Sequence, residues 1–293
     1  MKEFFLKLWP RVLFPNKRAE MKQNLNLISV QQRLATSDLT PVSIDPYAFI
    51  RVKDEKRTLL ASLNSILPVI HKGVIAYNDC TDGSDLIIKD FCKNNPGFIP
   101  FCYPHKVVGA GDRAYLEHIP FENTLAGYYN AVLELIPDGE WLIKIDADQI
   151  YFPDILKHSF SLPKDKTEYV VYSRLDLFIN QQNELKFWRY VRPGDHWLIF
   201  NENLQFVNDV GFSKDGDFHA YERLQIKNKR IPYKPECSSL HFPLEKKYRS
   251  FTPDENNMVD FSEFKKTANP NEFSEEILDI KTVRKIIESF NQD

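Results

Sequence analysis

Four cysteines (Cys80, Cys92, Cys102, Cys237) occur without a single CxxC pair, which sets aside a zinc knuckle or a disulfide framework and leaves buried thiols as the expectation. No run approaches the roughly 18 apolar residues that a membrane span needs. Neither charge is in excess: 38 basic against 41 acidic residues give −3 at neutral pH, which argues against a general nucleic-acid binder. Repeats and low-complexity tracts are missing. No glycine- and lysine-rich phosphate loop follows the first expected strand, AFIRVKDEKRT, as a sugar nucleotidyltransferase would require. No Thr or Gly closely follows Asp148, so a phosphatase using a strand-end aspartate is disfavoured too. What is present, 43% apolar and 13% aromatic residues over 293 positions, suffices for a large core.

The chain is organised around Trp141 to Tyr151, WLIKIDADQIY. Five mostly β-favouring residues follow the turn-like Pro137-Asp138-Gly139 and end in Asp146 and Asp148, one residue apart. At the carboxyl edge of an open α/β sheet, two such carboxylates can hold a hard divalent cation, which neutralises a diphosphate. A second DxD, Asp215-Gly216-Asp217, has no strand before it and reads as a solvated turn.

Upstream, residues 16–45 read as a polar connector. Strands are expected at Ala48–Val52, Gly73–Tyr77 and Phe98–Tyr103, with Pro100 marking the last as an edge or a bulge. Helices are expected at Lys56–Ile70, after a cap at Ser84, and at Asn123–Ile136, because their apolar residues recur at helical spacing. Strands alternating with helices predict βαβ units and a parallel sheet. The later half predicts a strand at Tyr169–Leu177, hairpin-like sequence near Phe187–Tyr190, a turn at Arg192–Asp195, a helix at Ala220–Lys229, a further stretch at Ile231–Leu240 that runs into His241-Phe242-Pro243, and an amphipathic helix at Glu272–Phe290. The division is a basic N-terminal segment and connector (1–45), a catalytic domain (46–250, its nucleotide half 46–150 and its acceptor and metal half 151–250) and a helical tail (251–293).

Chemistry gathers around the aspartate pair. Asp79, in the loop that ends the second strand, suits a uracil or ribose, whereas Asp82 and Ser84 read as a turn and a helix cap. His241 ends another apolar stretch and would complete the ligand set of Asp146 and Asp148. Lys246, Lys247 and Arg249 follow it and would face a departing diphosphate. Glu222, Asp195 and Asp176 are the candidates for a base that takes an acceptor's proton, Glu222 first because the expected helix would begin there. Trp188, Tyr190 and Trp197 are either platforms for sugars or core. In the N-terminal segment, Phe5, Leu8, Trp9 and Val12 at helical spacing among six Lys or Arg suit an anionic membrane surface, or packing on the domain or a partner.

The segments AFIRVKDEKRTLLASLNSILPVIHKGVIAYNDCTDGS, YYN (Tyr128–Asn130), EWLIKIDADQIY, YSRLD (Tyr172–Asp176), PGD, HAYERL (His219–Leu224) and HFPLEKKYR (His241–Arg249) together resemble the bacterial β-1,4-N-acetylgalactosaminyltransferases that extend lipooligosaccharide outer cores. The resemblance runs from about residue 46 to 250 and leaves out Val107–Glu122. It implies a GT-A fold, an inverting mechanism, Mn²⁺ or Mg²⁺, a UDP-sugar donor and a galactose-containing oligosaccharide acceptor, at the cytoplasmic side of the inner membrane. Arg51, Asn78, Asn130 and Lys144, which lie in the matching segments, join Asp79, Asp146, Lys246 and Lys247 as expected donor contacts. The donor stays open among UDP-GalNAc, UDP-GlcNAc, UDP-galactose and UDP-glucose. The rival of another class is a non-catalytic carbohydrate- or nucleotide-binding protein of transferase fold.

Overall fold

The structure, a computed structural model, describes residues 44–179, 184–214, 216–227, 230–246, 255–269 and 271–291. The N-terminal amphipathic segment, Lys247 and Arg249 lie outside the described residues. Among those described, no helix is long and apolar enough to cross a membrane.

Strand β1 (Tyr47–Val52) leads into helix α1 (Lys56–Ile66), β2 (Lys72–Tyr77), α2 (Ser84–Asn94), β3 (Phe98–Cys102), α3 (Leu125–Leu133) and β4 (Trp141–Asp146). The expected βαβ half is therefore present. Next come β5 (Gln149–Tyr151), α4 (Pro153–Ser159), β6 (Glu168–Ile179), β7 (Leu185–Trp188) and β8 (Arg192–Phe200). A two-stranded ribbon of β9 (Gln205–Phe212) and β10 (Phe218–Gln225) stands apart from the main sheet. Short strands β11 (Ile231–Tyr233), β12 (Ser239–His241) and β13 (Met258–Val259) and helices α5 (Phe261–Thr267) and α6 (Ile280–Glu288) complete the chain.

The main sheet runs β13-β7-β6-β8-β4-β1-β2-β3, with β11 and β12 joined to β6 and β5 to β12. Strands β4, β1, β2 and β3 are mutually parallel, whereas β8 runs antiparallel to both β4 and β6. The sheet is therefore mixed, parallel in its β4-β1-β2-β3 half and antiparallel around β8, β7 and β13, as part of an α/β fold. The chain steps outward from β1 through β2 to β3 and then returns to place β4 on the other side of β1. That reversal opens a crevice at the carboxyl ends of β1 and β4, where Arg51 and Asp146 stand side by side in register. Pro100 costs the ladder little because β3 is the sheet's edge.

Alternation along β1 sends Ala48, Ile50 and Val52 into one core with α1 and α2, and Phe49 into another with α3, Trp197 and Phe206. A third core unites Leu175, Leu177, Leu240 and Phe242 with Phe264, Phe273, Ile277, Val283 and Phe290, so the tail is packed against β6 and β12.

Four expectations need correction. Residues 218–225 form strand β10, not a helix: Ala220, Glu222 and Leu224 pair with Val210, Asn208 and Phe206 along one face. Arg192–Asp195 is no free turn but the irregular start of β8. Tyr172 pairs with His196 and Ser173 with Pro193, so Gly194 and Asp195 bulge out of the ladder. Helix α2 is capped at Gly83, whose φ of 93° suits glycine, while the Ser84 hydroxyl donates to Asp82 and accepts from the Glu55 N–H. The terminal helix begins only at Ile280, where the Asp279 carboxylate accepts from the N–H groups of Lys281 and Thr282.

Candidate active site

At the end of β4 the chain turns through Ala147 and Asp148 directly into β5. The Asp146 N–H donates to the Tyr151 hydroxyl (2.9 Å) and Ser62 of α1 donates to the Asp146 carbonyl (3.2 Å), which fixes this turn. The two aspartates then face different partners.

Asp148 meets His241. Strand β12 lies between β5 and β6, with His241 in register with Gln149 on one side and Asp176 on the other. The His241 Nδ1–H donates to Asp176 Oδ1 (2.7 Å), and Nε2 is turned towards Asp148 Oδ2 at 3.3 Å. All three residues are buried. Burial opposes charging of His241, yet Asp148 and Asp176 outweigh it and lift its pKa above the usual value. Arg174 Nε donates to the same Asp176 oxygen at 3.3 Å.

Asp146 meets a second group. Its Oδ1 accepts from the Lys144 ammonium (3.0 Å), which also donates to Asp195 Oδ2 (2.9 Å), while Oδ2 lies 2.8 Å from His196 Nε2. Lys144 and Asp146 share a face because they are two apart on one strand. The bulge in β8 brings Asp195 to them. Ligand atoms of Asp146, Asp195 and His196 all lie within 4.8 Å of one another. Against the cost of burial, Lys144 and His196 hold both Asp146 and Asp195 below the usual carboxylate range.

The crevice is lined further by β1, β2 and α3. The Arg51 guanidinium sits 4.8 Å from the Tyr129 ring centre and 5.7 Å from that of Tyr128, and donates to the Tyr129 hydroxyl (3.1 Å). Arg51 Nε, both amide atoms of Asn78, the Tyr128 hydroxyl and Glu55 Oε2 are buried with no hydrogen-bond partner. Buried polar atoms left so are costly unless something satisfies them. Asp79, at a φ of 45°, is half exposed and lies 3.7 Å from Lys53. Lys246 pairs with Glu55, whose pKa burial raises together with the Asp148 and Asp146 charges, against the pull of Lys246.

Glu222 reaches the crevice by strand alternation: with Ala220 and Leu224 it is on the ribbon face that packs on α3. Burial and the Asp195 charge raise its pKa above the usual carboxylate value, although Arg51 and Lys144 pull it down. The ribbon is moored by Asn130, whose amide donates to the Phe206 carbonyl (2.9 Å) and accepts from the Phe206 N–H (2.8 Å). Both ends of that amide are thereby committed to the ribbon rather than to a nucleotide. Trp188 and Trp197 are core residues, 3% and 8% exposed, and Tyr190 alone of the three aromatic candidates is exposed, at 55%.

Sequence reading assembled Asp146, Asp148 and His241 at one edge but missed His196, Glu55 and Tyr129. His196 follows PGD directly, and only the bulge reveals that it faces the aspartates.

A family model described as β-1,4-N-acetylgalactosaminyltransferase (CgtA) matches residues 35–291. No curated protein matches the chain. Among solved structures, a mycobacterial protein is similar at 13% identity over 47% of this chain and 43% of its own, with a TM-score of 0.30. A second is glucosyl-3-phosphoglycerate synthase from Mycobacterium tuberculosis in complex with Mn²⁺, UDP and phosphoglyceric acid. It is 12% identical over 53% of this chain and 49% of its own, with a TM-score of 0.28. The chain spans under half the length of either structure.

Proposed function

Since the chain belongs to the β-1,4-N-acetylgalactosaminyltransferase family, we propose that it is an inverting, divalent-metal-dependent glycosyltransferase that moves GalNAc from UDP-GalNAc to a galactose-containing oligosaccharide of lipooligosaccharide type. The observation that carries this reading is the Asp176–His241–Asp148 chain at the reversal of strand order. One carboxylate fixes the imidazole's tautomer and aims the opposite nitrogen at a second carboxylate, an arrangement characteristic of histidines that bind metal. A nitrogen with carboxylate oxygens suits Mn²⁺, and with more water Mg²⁺. Asp148 and His241 would hold the ion. Asp146 adds its charge beside them while its oxygens stay with Lys144 and His196. The ion's contribution is to neutralise the diphosphate as it leaves.

The remaining steps belong to side chains. The unsatisfied atoms of Asn78, Tyr128 and Arg51 offer donors and acceptors to the uridine, with Asp79 at the rim. Lys246, held by the buried Glu55, supplies a cation near the diphosphate, and Lys247 is the second candidate. Glu222 accepts the proton of the acceptor hydroxyl, whose oxygen bonds to the anomeric carbon as the bond to UDP breaks. Its raised pKa makes it a better base than an ordinary carboxylate. Asp195, bonded to Lys144, and Asp176, bonded to His241 and Arg174, are less suited. The reading includes the cytoplasmic face of the inner membrane as the place of reaction, supported by the six Lys or Arg of the N-terminal sequence.

The test is UDP release by the purified chain with each of the four UDP-sugars and a lactoside acceptor, with Mn²⁺ or with EDTA. Acceptor-dependent release from UDP-GalNAc that EDTA abolishes supports the proposal. Turnover of another donor overturns the GalNAc assignment, and undiminished turnover in EDTA overturns the metal.

A further inference from the structure

The inner face of the β9–β10 ribbon carries one polar group that the transfer chemistry leaves unused. Asn208 of β9 stands opposite Glu222 of β10 in the antiparallel register, so the two side chains lie on the same face, and such a pair has its Cβ atoms roughly 4.5 to 5.5 Å apart. The flanking pairs on that face are Phe206 with Leu224, packed against α3, and Val210 with Ala220. Position and register are both held. The Asn130 side chain bonds both backbone groups of Phe206, the Gly111 N–H donates to the Ala220 carbonyl (2.7 Å), and on the opposite face Arg223 Nε donates to Asp209 Oδ2 (3.0 Å). Asn208 Oδ1 is buried and has no hydrogen-bond partner. An ionised Glu222 cannot supply one, because a carboxylate only accepts. Two acceptors thus stand side by side, and a buried acceptor without a donor costs free energy. Protonation of Glu222 removes that cost, since its O–H becomes the missing donor.

We propose that Asn208 is a positioning residue for the proton transfer: its amide oxygen accepts a hydrogen bond from the Glu222 carboxylic acid once that group has taken the proton of the acceptor hydroxyl. The inference rests on the reading of Glu222 as the base. In the step, the acceptor O–H bond breaks and its oxygen forms the bond to the anomeric carbon. The bond to UDP breaks with its electron pair left on the diphosphate, and the proton stays on Glu222, where Asn208 holds it. A hydrogen bond made only to the protonated form favours that form and so strengthens the base. The charged and titratable groups around Glu222 are Arg51 on β1, Lys144 on β4, Asp195 in the β8 bulge, Tyr129 on α3 and Tyr115 in the short helical turn Arg113–Leu116. Asn208 acts beside them without a charge of its own.

The test is the titration of Glu222 itself in the full chain, read from the NMR shift of its side-chain carboxyl carbon and identified by the loss of that signal in Glu222→Gln. The pH profile of kcat/KM for the acceptor is measured in parallel, and thermal melting establishes folding. Asn208→Leu removes the accepting atom and is expected to lower the titration of Glu222 by about half to one pH unit, carrying the acidic limb with it. Asn208→Val has the same expectation should the leucine variant fail to fold. Asn208→Asp sets a second carboxyl opposite the first and is expected to move both upward. An unmoved Glu222 titration in a folded Asn208→Leu or Asn208→Val protein overturns the proposal, and a raised acceptor KM alongside it makes Asn208 a sugar contact instead. A titration that moves while the acidic limb stays in place supports the Asn208–Glu222 pair and overturns Glu222 as the base, so the two failures are distinguishable.

Discussion

Replacing Asp176 by Asn separates two roles for that carboxylate. Asp176 Oδ1 accepts from His241 Nδ1 at 2.7 Å and from Arg174 Nε at 3.3 Å, and all three side chains are buried. The substitution keeps the shape and an acceptor oxygen for both donors but removes the charge. Arg174 is not stranded, because Asp195 Oδ1 lies 3.5 Å from its guanidinium. The imidazole therefore keeps its orientation and becomes a poorer donor to a metal. Losing such an outer partner costs about 10- to 100-fold in metal affinity, or roughly 1.4 to 2.8 kcal/mol. The assay is initial rate against Mn²⁺ concentration: Asp176→Asn should shift the half-saturating Mn²⁺ upward by that factor and recover most of kcat at saturating ion. An unchanged Mn²⁺ dependence with kcat down by more than about a hundredfold would make Asp176 the base and refute the orienting role.

Four further outcomes follow. Glu222→Gln should lower kcat by about 10² to 10⁴ while leaving UDP affinity within a few-fold, measured by steady-state rates and calorimetry. Because burial lifts the folded pKa of Glu222 above the ordinary carboxylate value and catalysis needs its ionised form, the acidic limb of kcat/KM should fall at a higher pH than an ordinary glutamate would give. Asp195→Asn, by removing a like charge, should move that limb to lower pH. Leu63→Ala, at a fully buried position of α1 in the core beneath the crevice, should cost about 2 to 5 kcal/mol in urea unfolding.

The first, βαβ half was legible because its signals are local. Leu59, Leu63 and Ile66 recur at helical spacing, β4 is an apolar run broken before its terminal aspartate only by Lys144, and one chain rule, the right-handed crossover, orders the strands. The DxD pair, and His241 opposite it, could be placed from strand ends alone. Strand β10 was misread because Ala220, Glu222, Leu224 and Gln225 are good helix formers, and what makes them a strand is pairing with β9, a tertiary fact. The helix-dipole reason for choosing Glu222 falls with that helix. The residue nevertheless faces the crevice, for the different reason of strand alternation. His196 was invisible because a two-residue bulge in β8 leaves no periodic trace. The terminal helix was overextended since Phe273 and Ile277 are buried at helical spacing yet belong to turns that precede the Asp279 cap.

The account stands most directly on whether Asp148 and His241 couple metal to diphosphate. The measurement is UDP binding by calorimetry, with and without Mn²⁺, for the unmodified chain and for Asp148→Asn. The account predicts that Mn²⁺ tightens UDP binding at least tenfold, about 1.4 kcal/mol, in the unmodified chain and that the gain disappears in the variant. UDP binding that is equally tight without metal, or a gain that survives Asp148→Asn, would contradict it.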